Sequence, residues 1–149
     1  MLFRPLWQRQ KNWVVYEKFC KTAQDNSYYF FKYCMEHLPE KERRHIYYIM
    51  DPREPDYKNV AGYGRQVVPF MSLKHMLLSL SMKICISSDS TSHLYVWRSK
   101  PSIVRRAIKQ KEELFLQHGV TAMKRVDQLF GKNGSSPMTY FVTCCRPEH

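Results

Sequence analysis

The chain has 149 residues, of which 44% are apolar and 14% aromatic, enough for one domain with a sizeable core but hardly for two. This composition excludes an intrinsically disordered chain. Lysine and arginine outnumber aspartate and glutamate by 24 to 13, and the net charge of +11 indicates an anionic partner. Nucleic acid, an acidic membrane surface and a phosphate-rich substrate all fit that charge.

The cysteines and the apolar runs indicate a cellular compartment. Five cysteines are an odd number, and none of them has CxxC or zinc-ligand spacing, which predicts a reduced chain without disulfides. No apolar run approaches the roughly 18 residues that cross a bilayer, and the N-terminus lacks the apolar centre of a signal peptide. We therefore expect a cytoplasmic protein, with any membrane contact peripheral.

Strand and helix patterns alternate along the chain after residues 1–11, which we interpret as a tail or the remnant of a preceding segment. Short runs of apolar and β-branched residues predict six strands. These are Trp13–Tyr16, Ile46–Met50, Gln66–Phe70, Lys83–Ile86, Leu114–Leu116 and Tyr140–Val142. Strands that alternate with helices or long crossovers favour an α/β fold with a parallel sheet over residues 12–149.

Caps and apolar spacing predict the helices. Asp25 or Asn26 caps a helix over Ser27–Leu38, and Ser72 caps a second one. We assign the buried face of the second helix to Leu73, Met76, Leu77 and Leu80. Lys74 and His75 lie off that stripe, and we expect both in solvent. Asp51 ends a strand beside a proline, so turn chemistry is favoured over a role in a site.

His118 follows the fifth predicted strand and is the first candidate for chemistry. Open α/β sheets bind ligands just outside the carboxyl ends of their strands, and Gly119 lets a ligand approach the backbone. Histidine changes charge near neutral pH, which suits proton transfer. The alternative is that His118 caps the strand and hydrogen-bonds a neighbouring carbonyl.

Two further segments suit anions. The polar run that includes Ser88 and His93 follows the fourth predicted strand, and hydroxyls in such a position contact phosphate in other proteins, although polar loops are common. The basic stretch from Pro101 to Lys111 fits a helix or loop that faces an anionic surface, or a solvated basic face. Its cations are Arg105, Arg106, Lys109 and Lys111.

Three segments together resemble one known family, over about Trp13 to Cys145. They are Asp25-Asn26-Ser27 before a helix, Ser72-Leu73-Lys74-His75 after a Val-Val-Pro strand, and Leu116-Gln117-His118-Gly119-Val120-Thr121 followed by Lys124. They resemble the CDP-glycerol glycerophosphotransferase family, the teichoic acid polymerases and primases. The resemblance implies a Rossmann-like fold, equivalent to the N-terminal half of a GT-B architecture, with the second, CDP-binding domain absent from this chain.

The family resemblance also implies a reaction and a location. A polyol phosphate would pass from a CDP-activated donor to a hydroxyl of an anionic polymer or lipid-linked acceptor at the inner membrane face, with His118 as general base. Lys124 and Arg125 would supply positive charge to the phosphate, and Thr121, Gly119 and Ser88 would assist. No bound cofactor or metal is expected. By the same resemblance, this half alone would have little or no activity.

Two other functions compete with this one. A non-catalytic domain would bind anionic polymer, a membrane surface or a partner domain. A nucleic-acid binder would need an exposed aromatic platform. The aromatic residues Tyr28, Phe31, Tyr47 and Tyr48 lie in patterns that predict a core, which disfavours nucleic acid.

Overall fold

The computed structural model describes residues 11–95, 103–117 and 138–142. Its strands are β1 (Trp13–Val15), β2 (Ile46–Met50), β3 (Val67–Pro69), β4 (Ile84–Ser87), β5 (Glu112–Leu116) and β6 (Tyr140–Val142). They form one sheet in the order β3-β2-β1-β4-β5-β6, and every neighbouring pair is parallel. The alternating pattern predicted such a parallel α/β sheet, and its Rossmann-like arrangement is the one that the family resemblance implied.

The helices cover both faces of the sheet. They are α1 (Asn26–His37), α2 (Glu40–Arg43), α3 (Tyr57–Val60), α4 (Leu73–Ser81) and α5 (Ile103–Ile108), with 3₁₀ turns at Lys18–Cys20, Ala61–Gln66 and Thr91–His93. On one face, Phe31 of α1 packs with Val15 and Ile86 of the sheet. On the other face, Leu78 of α4 and Ile108 of α5 pack with Val14 and other sheet residues. Burial on both faces explains why the central strands are almost continuously apolar.

The two helix caps are where the sequence predicts them. The Asp25 carboxylate accepts a hydrogen bond from the Asn26 amide, and Ser72 Oγ accepts one from the His75 amide. Each cap satisfies a backbone donor that the first turn of a helix leaves unpaired.

The buried face of α4, however, was predicted wrongly. Leu73 is 69% exposed, whereas His75 is fully buried together with Leu78 and Ser79. Two local hydrogen bonds make burial of the polar residues tolerable: His75 Nδ1 accepts from the Met71 amide at 3.1 Å, and Ser79 Oγ donates to the His75 carbonyl at 2.9 Å. Apolar spacing alone selected the opposite stripe because it counted His75 as solvent-facing and gave the small hydroxyl residue Ser79 no weight.

The free thiols Cys20, Cys34 and Cys85 are buried. Asp51 has the turn role expected of it. Its carboxylate accepts from the Arg53 amide at 3.0 Å and lies 2.7 Å from Arg53 Nη2. The hydrogen bond from the Arg53 side chain lowers the pKa of Asp51 to about 2.

Candidate functional site at the carboxyl edge of the sheet

The strand order reverses between β1 and β4, since β2 and β3 extend to one side and β5 and β6 to the other. In open α/β sheets a ligand binds in the crevice at the carboxyl ends of the two strands that flank such a reversal. Here the loop from Tyr16 to Asp25 follows β1, the run from Ser88 to His93 follows β4, and Gln117 follows β5. We call this region the carboxyl edge.

The side chain of Glu17 lies at the start of α1 and binds the backbone amides of that helix terminus. Its carboxylate accepts backbone hydrogen bonds from Gln24 at 3.1 Å, from Asp25 at 2.9 Å and from Tyr28 at 2.8 Å. The side chain is 1% exposed. A helix N-terminus attracts anions because its amides are unpaired and its dipole is positive there. In this protein an internal carboxylate fills that position.

The first turn after β1 also differs from a dinucleotide-binding loop. That loop needs glycines where the chain bends sharply and where phosphate approaches the backbone. Residues 16–25 contain no glycine, and the left-handed positions in the turn are Phe19 and Cys20, with φ of 54° and 57°. The geometry therefore gives no support to a dinucleotide at this turn.

Side chains from α1 join the loops after β4 and β5. Asn26 Nδ2 donates to the Gln117 carbonyl at 2.6 Å. The Ser88 amide donates to Ser27 Oγ at 2.9 Å, and the two hydroxyl oxygens lie 3.2 Å apart. The residue that directly precedes His118 in sequence is thus held at the crevice by the first turn of α1.

An aspartate and a histidine lie close together after β4. His93 Nδ1 is 3.4 Å from Asp89 Oδ1, and the His93 ring centroid is 4.0 Å from that of Phe19. Histidine beside a carboxylate can transfer protons. The sequence placed His93 only in a generally polar segment. The four-residue spacing from Asp89 was the signal that could have identified this pair.

Glu113 is a buried carboxyl group behind the crevice, on the face of the sheet that α4 and α5 cover. It pairs in register with Cys85 and is 6% exposed, and its Oε1 atom has no hydrogen-bond partner within the described residues. Burial raises the pKa of Glu113 to about 7. The pKa of Tyr16 is also raised, mainly by burial and further by Cys85 and Glu113. Sequence reasoning missed this group because a charged residue at the start of an apolar run resembles a loop residue.

The structure describes only part of the predicted site. Ser88 is buried at the carboxyl end of β4. The predicted residues His118, Gly119, Thr121, Lys124 and Arg125 lie outside the described residues.

The predicted basic stretch is partly described. Arg105 belongs to α5, Arg106 and Lys109 are exposed, and Lys111 is half-buried. Within residues 11–95, 103–117 and 138–142, no three histidine, cysteine or acidic residues are grouped as a metal site would need. In the same ranges, no helix has the length and apolarity to cross a bilayer.

This Rossmann-like α/β domain is similar in sequence to a known protein. An alignment of 150 residues covers 97% of the chain. Over this alignment the chain is 29% identical to the minor teichoic acid biosynthesis protein GgaB of Bacillus subtilis (strain 168). The chain spans only 15% of the length of that protein. No family model matches the chain, and no solved structure matches it. The chain is therefore similar to a short portion of a much longer protein of teichoic acid biosynthesis.

Proposed function

We propose that this chain is part of a polyol-phosphate transferase that builds a teichoic-acid-like or capsular polymer. It would move glycerol phosphate, or a related polyol phosphate, from a CDP-activated donor to a hydroxyl of the growing chain. The similarity to GgaB supports the class of polymer. The hydrogen bond from Asn26 to the Gln117 carbonyl carries the proposal structurally, because it holds the residue before His118 at the strand-order reversal.

In the proposed reaction, the acceptor hydroxyl attacks the phosphorus next to the polyol. A new P–O bond forms, the bond from that phosphorus to the CMP oxygen breaks, and CMP leaves. His118 accepts the hydroxyl proton as the bond forms. This step needs no oxidant or reductant, so catalysis depends on positioning and on positive charge around the phosphate oxygens.

The described carboxyl edge makes specific demands on the remaining residues. The Glu17 carboxylate already satisfies the first turn of α1, and Ser88 is hydrogen-bonded to Ser27. The described carboxylates of this edge also lower its suitability for phosphate. In our proposal, Lys124 and Arg125 therefore supply the compensating charge, with Thr121, Gly119 and the Ser88 hydroxyl as donors or close contacts.

The test is a His118→Ala variant of the natural protein that contains these residues. CMP release from CDP-glycerol, measured with a lipid-linked polymer acceptor, should fall by about 10²- to 10⁴-fold, the usual contribution of a positioned base. His37→Ala is the matched control, because His37 is exposed at the end of α1, and its rate should change less than about twofold. A His118→Ala enzyme with the parent rate would refute the proposed base.

The surplus of basic residues also favours a second function. A domain that only binds anionic polymer, the acidic inner face of a membrane or a partner domain would also use a basic surface. Such a domain would bind polymer yet release no CMP, either alone or with a separately supplied CDP-binding half. For the membrane alternative, neutralising Arg105, Arg106, Lys109 and Lys111 should weaken binding to anionic vesicles.

A further inference from the structure

A basic groove lies at the opposite, amino edge of the sheet. Asn12, His45 and Gln66, which precede β1, β2 and β3, line it. Its volume is about 750 Å³, and a smaller cavity of about 190 Å³ shares part of its lining. The charged residues of the groove are Lys41, Arg44, Arg65, Lys74 and Glu40. We call this feature the amino-edge groove.

The positive charges of the amino-edge groove are poorly compensated by the described residues that line it. Four cationic side chains face one carboxylate, that of Glu40. Glu40 lies 3.6 Å from Arg65 Nη2, but the two side chains are 74% and 71% exposed, so this ion pair contributes little. A bound anion would relieve the repulsion among the remaining cations.

Lys74 lies close to another cationic residue of the groove. Its Nζ donates to the Arg65 carbonyl at 2.9 Å, so the ammonium is held close to another cationic residue. Partial burial lowers the pKa of Lys74, and the charge of Arg65 lowers it further. An anion at this position would favour the charged ammonium and raise that pKa again.

Hydrogen bonds link several of the residues that line the amino-edge groove. Arg44 Nε donates to His45 Nε2 at 3.1 Å, and His45 Nδ1 lies 3.3 Å from Asn12 Oδ1. The Trp13 amide donates to the His45 carbonyl at 2.8 Å, which ties the same residues to the start of β1. A prearranged site loses less side-chain entropy when it binds a ligand.

We propose that the amino-edge groove binds a linear phosphodiester polymer that carries neither nucleobases nor lipid chains. The groove would recognise the regularly repeated negative charge of such a polymer. A single-stranded nucleic acid would use an aromatic surface for stacking, but Lys74 Nζ covers the Tyr47 ring at 5.1 Å from its centroid. A surface that inserts into a membrane adds exposed apolar side chains to its cations, and the large exposed apolar side chains of the described residues do not line this groove.

The identity of the polymer as a polyol-phosphate chain rests on the proposed function. The groove lies at the edge of the sheet opposite the strand-order reversal, so it would hold a segment of polymer away from the reacting hydroxyl. Retention of the polymer there would keep product bound between successive transfers.

The experiment measures binding of fluorescently labelled poly(glycerol phosphate) at low salt. The double variant Arg65→Gln with Lys74→Gln should bind about five- to thirtyfold more weakly, the loss expected for two partly screened ion pairs. The charge-matched control is Lys32→Gln with Lys58→Gln, which removes two lysines from outside the groove and should bind within about twofold of the parent. Equal weakening in both double variants, or none in either, would overturn the proposal.

Further arms separate this inference from the proposed function. His118→Ala should lose transfer but keep the parent affinity for the polymer, because binding and proton transfer use different edges. Groove-dependent binding of inorganic polyphosphate without binding of poly(glycerol phosphate) would overturn the polyol-phosphate assignment while leaving an anion groove. Tighter groove-dependent binding of single-stranded oligonucleotides or phosphatidylglycerol vesicles would overturn the choice of a polymer without nucleobases or lipid chains.

Discussion

The two edges of the sheet differ in charge and in how that charge is used. At the carboxyl edge, backbone amides bind the carboxylate of Glu17, and Arg53 binds the carboxylate of Asp51. At the amino edge, the cations of the groove outnumber its one carboxylate. Within the described residues, the surplus positive charge is therefore concentrated away from the edge where transfer is proposed. In our two proposals, charge retains a polymer at one edge while chemistry proceeds at the other.

Helix direction explains part of this difference. In a parallel α/β sheet the helices start at the carboxyl edge and end at the amino edge, so their positive termini attract carboxylates and their negative termini attract cations. Glu17 and Asp25 bind amides at the start of α1. Arg43 Nη1 donates to the Met35 carbonyl near the end of the same helix, at 3.1 Å. Arg43 therefore has a structural role. Lys74 differs, because it lies in the first turn of α4 and its side chain reaches back to the Arg65 carbonyl, so no helix C-terminus accounts for its position.

The largest expected effect is a loss of stability at the carboxyl edge. Glu17→Ala leaves three amides of the α1 start without their acceptor and should lower the free energy of unfolding by about 3–5 kcal/mol. Urea denaturation at neutral pH measures this loss. Glu36→Ala, an exposed position on the same helix, is the control and should change stability by less than about 0.5 kcal/mol. Similar stability of the two variants would show that Glu17 does not organise this edge.

The second prediction concerns Glu113, behind the carboxyl edge. Its pKa is about 7 in the folded protein and near the ordinary 4.5 in the unfolded chain. Between pH 4.5 and pH 7 the folded state therefore keeps a proton that the unfolded chain has lost. Stability contributed by the protonated carboxyl is complete below pH 4.5 and is lost as the pH rises through 7. Glu113→Gln should therefore gain about 2–3 kcal/mol over the parent at pH 8 and nothing at pH 4.5.

Thermal or urea unfolding across this pH range measures the difference for Glu113. Glu112→Gln is the neighbouring control on the same strand, and its curve should run parallel to that of the parent. A constant offset between Glu113→Gln and the parent at all pH values would contradict the raised pKa.

The smallest expected effect is on the affinity of the amino-edge groove for polymer. Glu40→Gln removes the one carboxylate that lines the groove, and its exposed ion pair means that stability should change by less than about 0.5 kcal/mol. Affinity for poly(glycerol phosphate) should nevertheless rise about two- to threefold, since an opposing charge is removed. Glu42→Gln, exposed on α2 and outside the lining, should leave the affinity unchanged. Weaker binding by Glu40→Gln would contradict the proposed polarity of the groove.

Much of the fold followed from local signals in the sequence. All six strands were predicted to within two residues at each end, because the strands of a parallel sheet are short apolar runs between helices. The Asp25 and Ser72 caps were also correct, since a cap is a contact between residues a few positions apart. The buried face of α4 was wrong because hydropathy does not count the hydrogen bonds that let His75 enter the core.

The sequence by itself determined the α/β class, the strands, the helix caps and the net charge of +11, from which an anionic partner is predicted. Only the tertiary structure decided the strand order, the carboxylate of Glu17 in the α1 start, the buried Glu113 and the amino-edge groove. The physical reason is the separation of the interacting residues along the chain. Lys74 meets Tyr47, and Arg65 meets Glu40, only after β2 and β3 have paired side by side. Such contacts depend on which strands become neighbours, and local spacing does not encode that choice.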